Sequence, residues 1–143
     1  MKKLILLLTF ALSIPLTVQA QDFGDEKAME EMVAKMKESR TGFAEALKDD
    51  CAVYNGEYMF LFSPEPLKLE VLGKEGDKCL TIMDLPFGGS QECSISMEEV
   101  VKLADLELAY MAEEDGAEEA VGALYQKLLD DGSCVMPEGW SVN

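Results

Sequence analysis

The sequence predicts an α+β domain: an N-terminal helix, a four-stranded antiparallel meander and a C-terminal helical hairpin, tied by two disulfides. Three observations carry this. Residues 58–96 form apolar runs separated by turn residues: Tyr58-Met-Phe-Leu-Phe62, Leu67-Lys-Leu-Glu-Val-Leu72, Lys78-Cys-Leu-Thr-Ile-Met83 and Glu92-Cys-Ser-Ile95. The segments on either side repeat apolar residues at helical spacing. Cys79 and Cys93 lie inside the strand-rich stretch, while Cys51 and Cys134 lie just outside the flanking helical segments.

Residues 1–20 have the pattern of a signal peptide. Lys2 and Lys3 precede an apolar run, Leu4 to Leu12, that is too short to span a bilayer. Val18-Gln19-Ala20 ends in the small-residue style of a cleavage site, with the cut expected after Ala20. Residues 21–143 are then one exported domain, periplasmic or secreted, with no expected membrane insertion. Two of the 12 basic residues precede the cut and none of the 28 acidic ones does. Ten against 28 leaves a net charge of −18. That balance excludes a nucleic-acid partner, because phosphate contact needs a basic surface. A protein partner would be favoured if cationic.

Asp25 to Lys48 reads as the first helix. Met29, Met32, Val33, Met36, Arg40, Phe43 and Leu47 share a face, and only Arg40, whose stem can lie along apolar surface, interrupts it. Gly42 weakens the middle of this helix, with a bend expected near Thr41. Asn55-Gly56 is a turn signal ahead of the first strand. Tyr58, Phe60 and Phe62 alternate at strand period. A three-residue loop Lys74-Glu75-Gly76 would put Leu67, Leu69 and Val71 on one face with Cys79, Thr81 and Met83. A two-residue loop would bring Leu80 and Ile82 there instead. Ser96-Met-Glu-Glu99 is a capping box opening a helix to about Glu113. Met97, Val100, Val101, Ala104, Leu108 and Met111 form its buried stripe, and Leu103, Leu106 and Tyr110 a second apolar face. The last helix starts at Asp115-Gly-Ala-Glu118, buries Ala117, Val121, Leu124, Tyr125 and Leu128, and ends at Gly132.

Four cysteines in an exported chain imply two disulfides, with three connectivities open. In a hairpin centred on Pro86, Cys79 and Cys93 stand opposite each other, which favours Cys79–Cys93 and, by elimination, Cys51–Cys134. The alternative sends Cys79 or Cys93 to a helix.

Gly76-Asp-Lys-Cys79 followed by Pro86-Phe-Gly-Gly-Ser-Gln-Glu-Cys93 resembles the cysteine hairpin of small uncharacterised exported bacterial proteins. Those carry a G-x-K-C strand, a P-x-G-type turn and a second cysteine after a short gap. The resemblance implies a Cys79–Cys93 hairpin and no function.

The chain has no histidine, which removes Ser-His-Asp and Cys-His nucleophilic sites and histidine metal ligands. With the cysteines paired, no thiolate nucleophile remains. The acidic clusters Asp49-Asp50, Glu113-Glu-Asp115, Glu118-Glu119 and Asp130-Asp131 fall at expected helix ends, where carboxylates cap and stay solvated. No enzyme, cofactor or metal site is expected. The exception to weigh is copper or other metal handling through Met29, Met32 and Met36, since thioethers are soft ligands; the same spacing makes a core stripe. Phe87 at a hairpin tip and Trp140 in the tail are expected to fold back on the core; left exposed instead, they are the candidate partner contacts. The expected role is a non-enzymatic binding or envelope-stress module. The alternative is an inhibitor or immunity protein against a basic enzyme or toxin.

Overall fold

The computed structural model describes residues 26–60 and 63–140. The expected signal peptide, with Leu61 and Phe62 of the expected first strand, lies outside them. The described residues fall into two units: the opening residues 26–30, and the compact unit from Glu31 onward. The architecture is α+β. Helix α1 (Glu26–Lys48) is followed by strands β1 (Tyr54–Tyr58), β2 (Leu67–Glu75), β3 (Lys78–Asp84) and β4 (Ser90–Ser96). Helices α2 (Met97–Met111) and α3 (Ala117–Asp130) and a short strand β5 (Cys134–Val135) complete it. The sheet is an antiparallel meander in the order β1-β2-β3-β4-β5.

Strand alternation selects the core face. Leu67, Leu69, Val71, Cys79, Thr81, Cys93 and Ile95 point inward and are buried. Leu69, Val71, Cys79, Cys93 and Ile95 share one core with Phe43, Ala44 and Leu47 of α1, Val100, Leu103 and Ala104 of α2, and Leu124 and Leu128 of α3. The inward set on β2 and β3 is the expected one, but the route differs. The turn is the two residues Gly76-Asp77, since Glu75 pairs with Lys78. That short loop alone would turn Leu80 and Ile82 inward. A bulge between Val71 and Gly73 absorbs one residue and restores Val71 opposite Thr81.

The strand count and first strand also differ from expectation. Two residues of the tail add β5. β1 starts at Tyr54 and runs through Asn55-Gly56 rather than turning there. Gly56 serves close packing: a β-carbon on it would fall 2.7 Å from the Tyr54 ring. Gly42 has the same cause. A β-carbon there would lie 2.5 Å from the Tyr54 Oη, and that hydroxyl donates to the Ser39 carbonyl at 3.0 Å. Ser39 Oγ in turn donates to the Glu57 carbonyl at 2.7 Å. α1 is thus fastened to edge strand β1, and runs through Thr41 as one helix.

The disulfides are Cys51–Cys79 and Cys93–Cys134, not Cys79–Cys93 and Cys51–Cys134. The hairpin loop causes the difference. Asp84 pairs with Ser90 across a five-residue loop, 85–89, so the centre is Phe87 and not Pro86. Cys79 then faces Ile95, and Cys93 faces Thr81 on one side and Cys134 on the other. Asp50 and Cys51 both adopt left-handed backbone, φ 55° and 60°, which turns the chain off α1 and brings Cys51 to Cys79. Such conformations cost about 1–3 kcal/mol each, and the bridge helps hold them.

The start of α2 is half the expected capping box. Ser96 Oγ accepts from the Glu99 N–H at 3.4 Å, but the Glu99 carboxylate pairs with Lys127 of α3 rather than closing the capping box. On α2, Leu103 and Glu107 join Val100 and Ala104 in the buried stripe, and Val101 is exposed.

The Tyr54 contact makes Gly42 a packing requirement. Gly42→Ala is expected to destabilise by ~1–3 kcal/mol through overpacking, against the ~1 kcal/mol helix propensity would add. In a Tyr54→Ala background the same change should stabilise. Urea denaturation of the four variants checks the reversal of sign.

Candidate functional site

The β3–β4 loop is stiffened by its own backbone. Leu85 N–H donates to the Gly89 carbonyl at 3.0 Å, and Gly88 N–H to the Leu85 carbonyl at 3.1 Å. Gly88 and Gly89 take positive φ, 101° and 78°, which suits glycine. Phe87 is left at the tip, 77% exposed. The C-terminal tail reaches this tip because the Cys93–Cys134 bridge fixes its start. Pro137 lies over Gly89, where a β-carbon would fall 2.7 Å from Pro137 Cγ. Trp140 Nε1 donates to the Gly88 carbonyl at 3.2 Å. The Phe87 and Trp140 rings stand 6.2 Å apart, tilted by 31°. The two candidate partner contacts therefore form one aromatic pair. Beside it is an open cleft of about 570 Å³, lined among others by Pro64, Pro66, Leu67, Leu85 and Pro86.

The three methionines are divided: Met29 is 39% exposed, whereas Met32 and Met36 are half-buried. All four cysteines are paired, the state of cysteines in oxidising compartments. Among the described residues, no group of three or more Asp, Glu or Cys side chains is placed to hold a metal ion. No helix among them is long and apolar enough to cross a membrane.

A second polar cluster is buried. Arg40 reaches from α1 to Glu107 on α2, whose side chain is fully enclosed. Arg40 Nε donates to Oε2 at 3.0 Å, and its Nη2 donates to Oε1 at 2.8 Å and Oε2 at 2.9 Å. Tyr125 Oη of α3 donates to Oε1 at 3.1 Å. The guanidinium lies 5.5 Å from the centre of the Tyr110 ring, within cation–π range. Burial alone would lower the Arg40 pKa; the facing Glu107 carboxylate overrides it and holds it above its ordinary value. Burial pushes the Tyr125 hydroxyl well up, and the Glu107 charge pushes the same way. Paired and saturated in this way, the cluster is structural: one carboxylate joins three helices.

Arg40 interrupts the apolar stripe expected for α1 without naming a partner, and Glu107 belongs to neither apolar face expected for α2. The sign was there: Glu107 lies one helical turn from Leu103 and Ala104, so both stripes carry one charge, of opposite sign.

The structure defines a class: a disulfide-linked α+β domain with an exposed Phe87 beside a half-buried Trp140 and a buried ionic lock. No protein-family model matches the chain, and no curated protein and no solved structure is significantly similar to it.

Breaking the lock on one side strands a buried charge. Glu107→Leu is expected to cost about 3–5 kcal/mol. The double replacement Arg40→Leu with Glu107→Leu should cost less than Glu107→Leu alone. A denaturation cycle in which the two single losses simply add would contradict the lock.

Proposed function

We propose that this chain is a non-enzymatic binding module of an oxidising compartment, periplasmic or secreted, which captures a protein partner through Phe87 and Trp140. The observation that carries the reading is the exposure of Phe87 beside Trp140. A large apolar side chain gains nothing by standing in water. Aromatic residues on a rigid support are the usual hot spots of interfaces, because they bury much area at little entropic cost. The support here is firm: a hairpin on one side, and on the other a tail pinned by a disulfide and by the Trp140–Gly88 hydrogen bond.

A second reading, an inhibitor of a basic enzyme or toxin, is favoured by how the charges are used. Lys37, Arg40, Lys48, Lys74, Lys102 and Lys127 each face a carboxylate of the same chain. The basic residues are largely spent inside the molecule, so the acidic excess faces outward. Such a field speeds encounter with a cationic target.

Capture from an envelope extract of the source organism tests both. The partner retained by the full chain should be lost by about tenfold or more with Phe87→Ala or Trp140→Ala, with melting unchanged for Phe87→Ala. Undiminished capture by both variants would contradict the aromatic anchor. Under the inhibitor reading the partner is basic and released as salt rises to ~0.5 M; salt-independent capture argues against it.

A further inference from the structure

Among the described residues the helices cover one face of the sheet and leave the opposite face open. Register places one row across it from edge to edge: Asn55, Glu70, Ile82, Glu92 and Val135. The next row holds Leu80 opposite Gly73 and Ser94. The bulge at Leu72 adds another apolar side chain, 48% exposed. Val53, 71% exposed, rests its Cγ2 3.5 Å from where a Gly73 β-carbon would be. Val135 closes the other edge at 62% exposure. Leu72, Leu80, Ile82 and Val135 line a shallow hollow of about 270 Å³.

Two carboxylates stand in this row with apolar neighbours on the same face. Glu70 and Glu92 flank Ile82 on the neighbouring strands, which sets them roughly 10 Å apart. Neither makes an ion pair or a side-chain hydrogen bond among the described residues, whereas Glu98, Glu99, Asp105, Glu107 and Glu113 each face a lysine or arginine. Lysines on this side stand further along the strands: Lys68 next to Asp84, and Lys78 near enough to Asp131 to help lower its pKa.

We infer that the outward face around Ile82 is a docking surface for a cationic amphipathic segment of a partner, whose apolar side chains cover Leu72, Leu80 and Ile82 while its Lys or Arg residues reach Glu70 and Glu92. Charge complementarity selects this occupant. A second copy of the chain would bring the same acidic excess and be repelled. An anionic membrane or a nucleic acid would be repelled as well. An acidic or purely apolar segment would leave Glu70 and Glu92 desolvated without counter-charge, which is costly. The inference rests on the binding-module reading and extends it to a second surface. The tail joins the two, since Val135 opens the segment that carries Trp140.

The probe is a fluorescent amphipathic peptide of leucine and lysine, titrated against the full chain at low salt, with a leucine–glutamate peptide of the same pattern beside it. The chain should bind the first and not the second. Glu70→Gln with Glu92→Gln, and separately Ile82→Thr, should each weaken binding by about tenfold, with melting temperatures near that of the parent. Glu118→Gln with Glu119→Gln removes the same charge from the exposed start of α3 and should change affinity less than about twofold. Equal loss from both carboxylate pairs means a non-specific charge effect and overturns the inference. So does failure to bind the leucine–lysine peptide, or indifference to the Glu70 and Glu92 changes. In either case capture through Phe87 stands or falls on its own variants.

Discussion

Strands β3 and β4 are stapled from their buried face, one to the turn that leaves α1 and the other to the edge strand β5. Cys79 on β3 is tied to Cys51, at the turn leaving α1, and Cys93 on β4 to Cys134, the first residue of β5. Each bridge closes a span of a few tens of residues, 28 and 41 apart in sequence, which on a chain-entropy model is worth about 3–4 kcal/mol. The consequences are local as well. The first bridge holds two successive left-handed residues, Asp50 and Cys51. The second creates β5, and through β5 it aims Pro137 and Trp140 at the tip of the β3–β4 hairpin.

The remaining fastening is polar. α1 leans on β1 through Ser39 and Tyr54, on α2 through Arg40 and Lys48, and on the loop after α2 through Lys37. In those three pairs α1 supplies the positive partner, and Glu107 and Asp105 of α2 and Glu113 of the following loop the negative ones. Only Arg40–Glu107 is withdrawn from solvent. The other two are exposed and of the kind worth little. Glu107 therefore fixes how α1, α2 and α3 meet, with Tyr125 filling its remaining hydrogen-bonding capacity.

Much of this was written in local pattern. The alternation of Leu67, Leu69 and Val71, the helical stripe of Val121, Leu124 and Leu128, and the Ser96 cap follow from single elements, and each appears. What failed to show was set by counts of one residue. A loop centred on Phe87 instead of Pro86 moves Cys79 from Cys93 to Ile95 and rewires both disulfides. A bulge at Leu72 cancels the effect of a two-residue turn, so the right face was reached by the wrong loop. Asn55-Gly56 has turn chemistry, yet its glycine is there for the Tyr54 ring. Contacts between distant elements were only half legible for another reason: Arg40 and Glu107 each put one charge in an apolar stripe, but nothing in their spacing names the other as partner. Of the binding surfaces, Phe87 and Trp140 stood out as aromatics at a hairpin tip and in the tail. Their meeting depended on the second disulfide, and the open face around Ile82 on the register.

Peptide mapping by mass spectrometry, with the protein digested unreduced and its thiols blocked, tests the stapling most directly. The account predicts fragments joined through Cys51–Cys79 and through Cys93–Cys134, and no blocked cysteine. A fragment joining Cys79 to Cys93, or four blocked cysteines in the native protein, would contradict it.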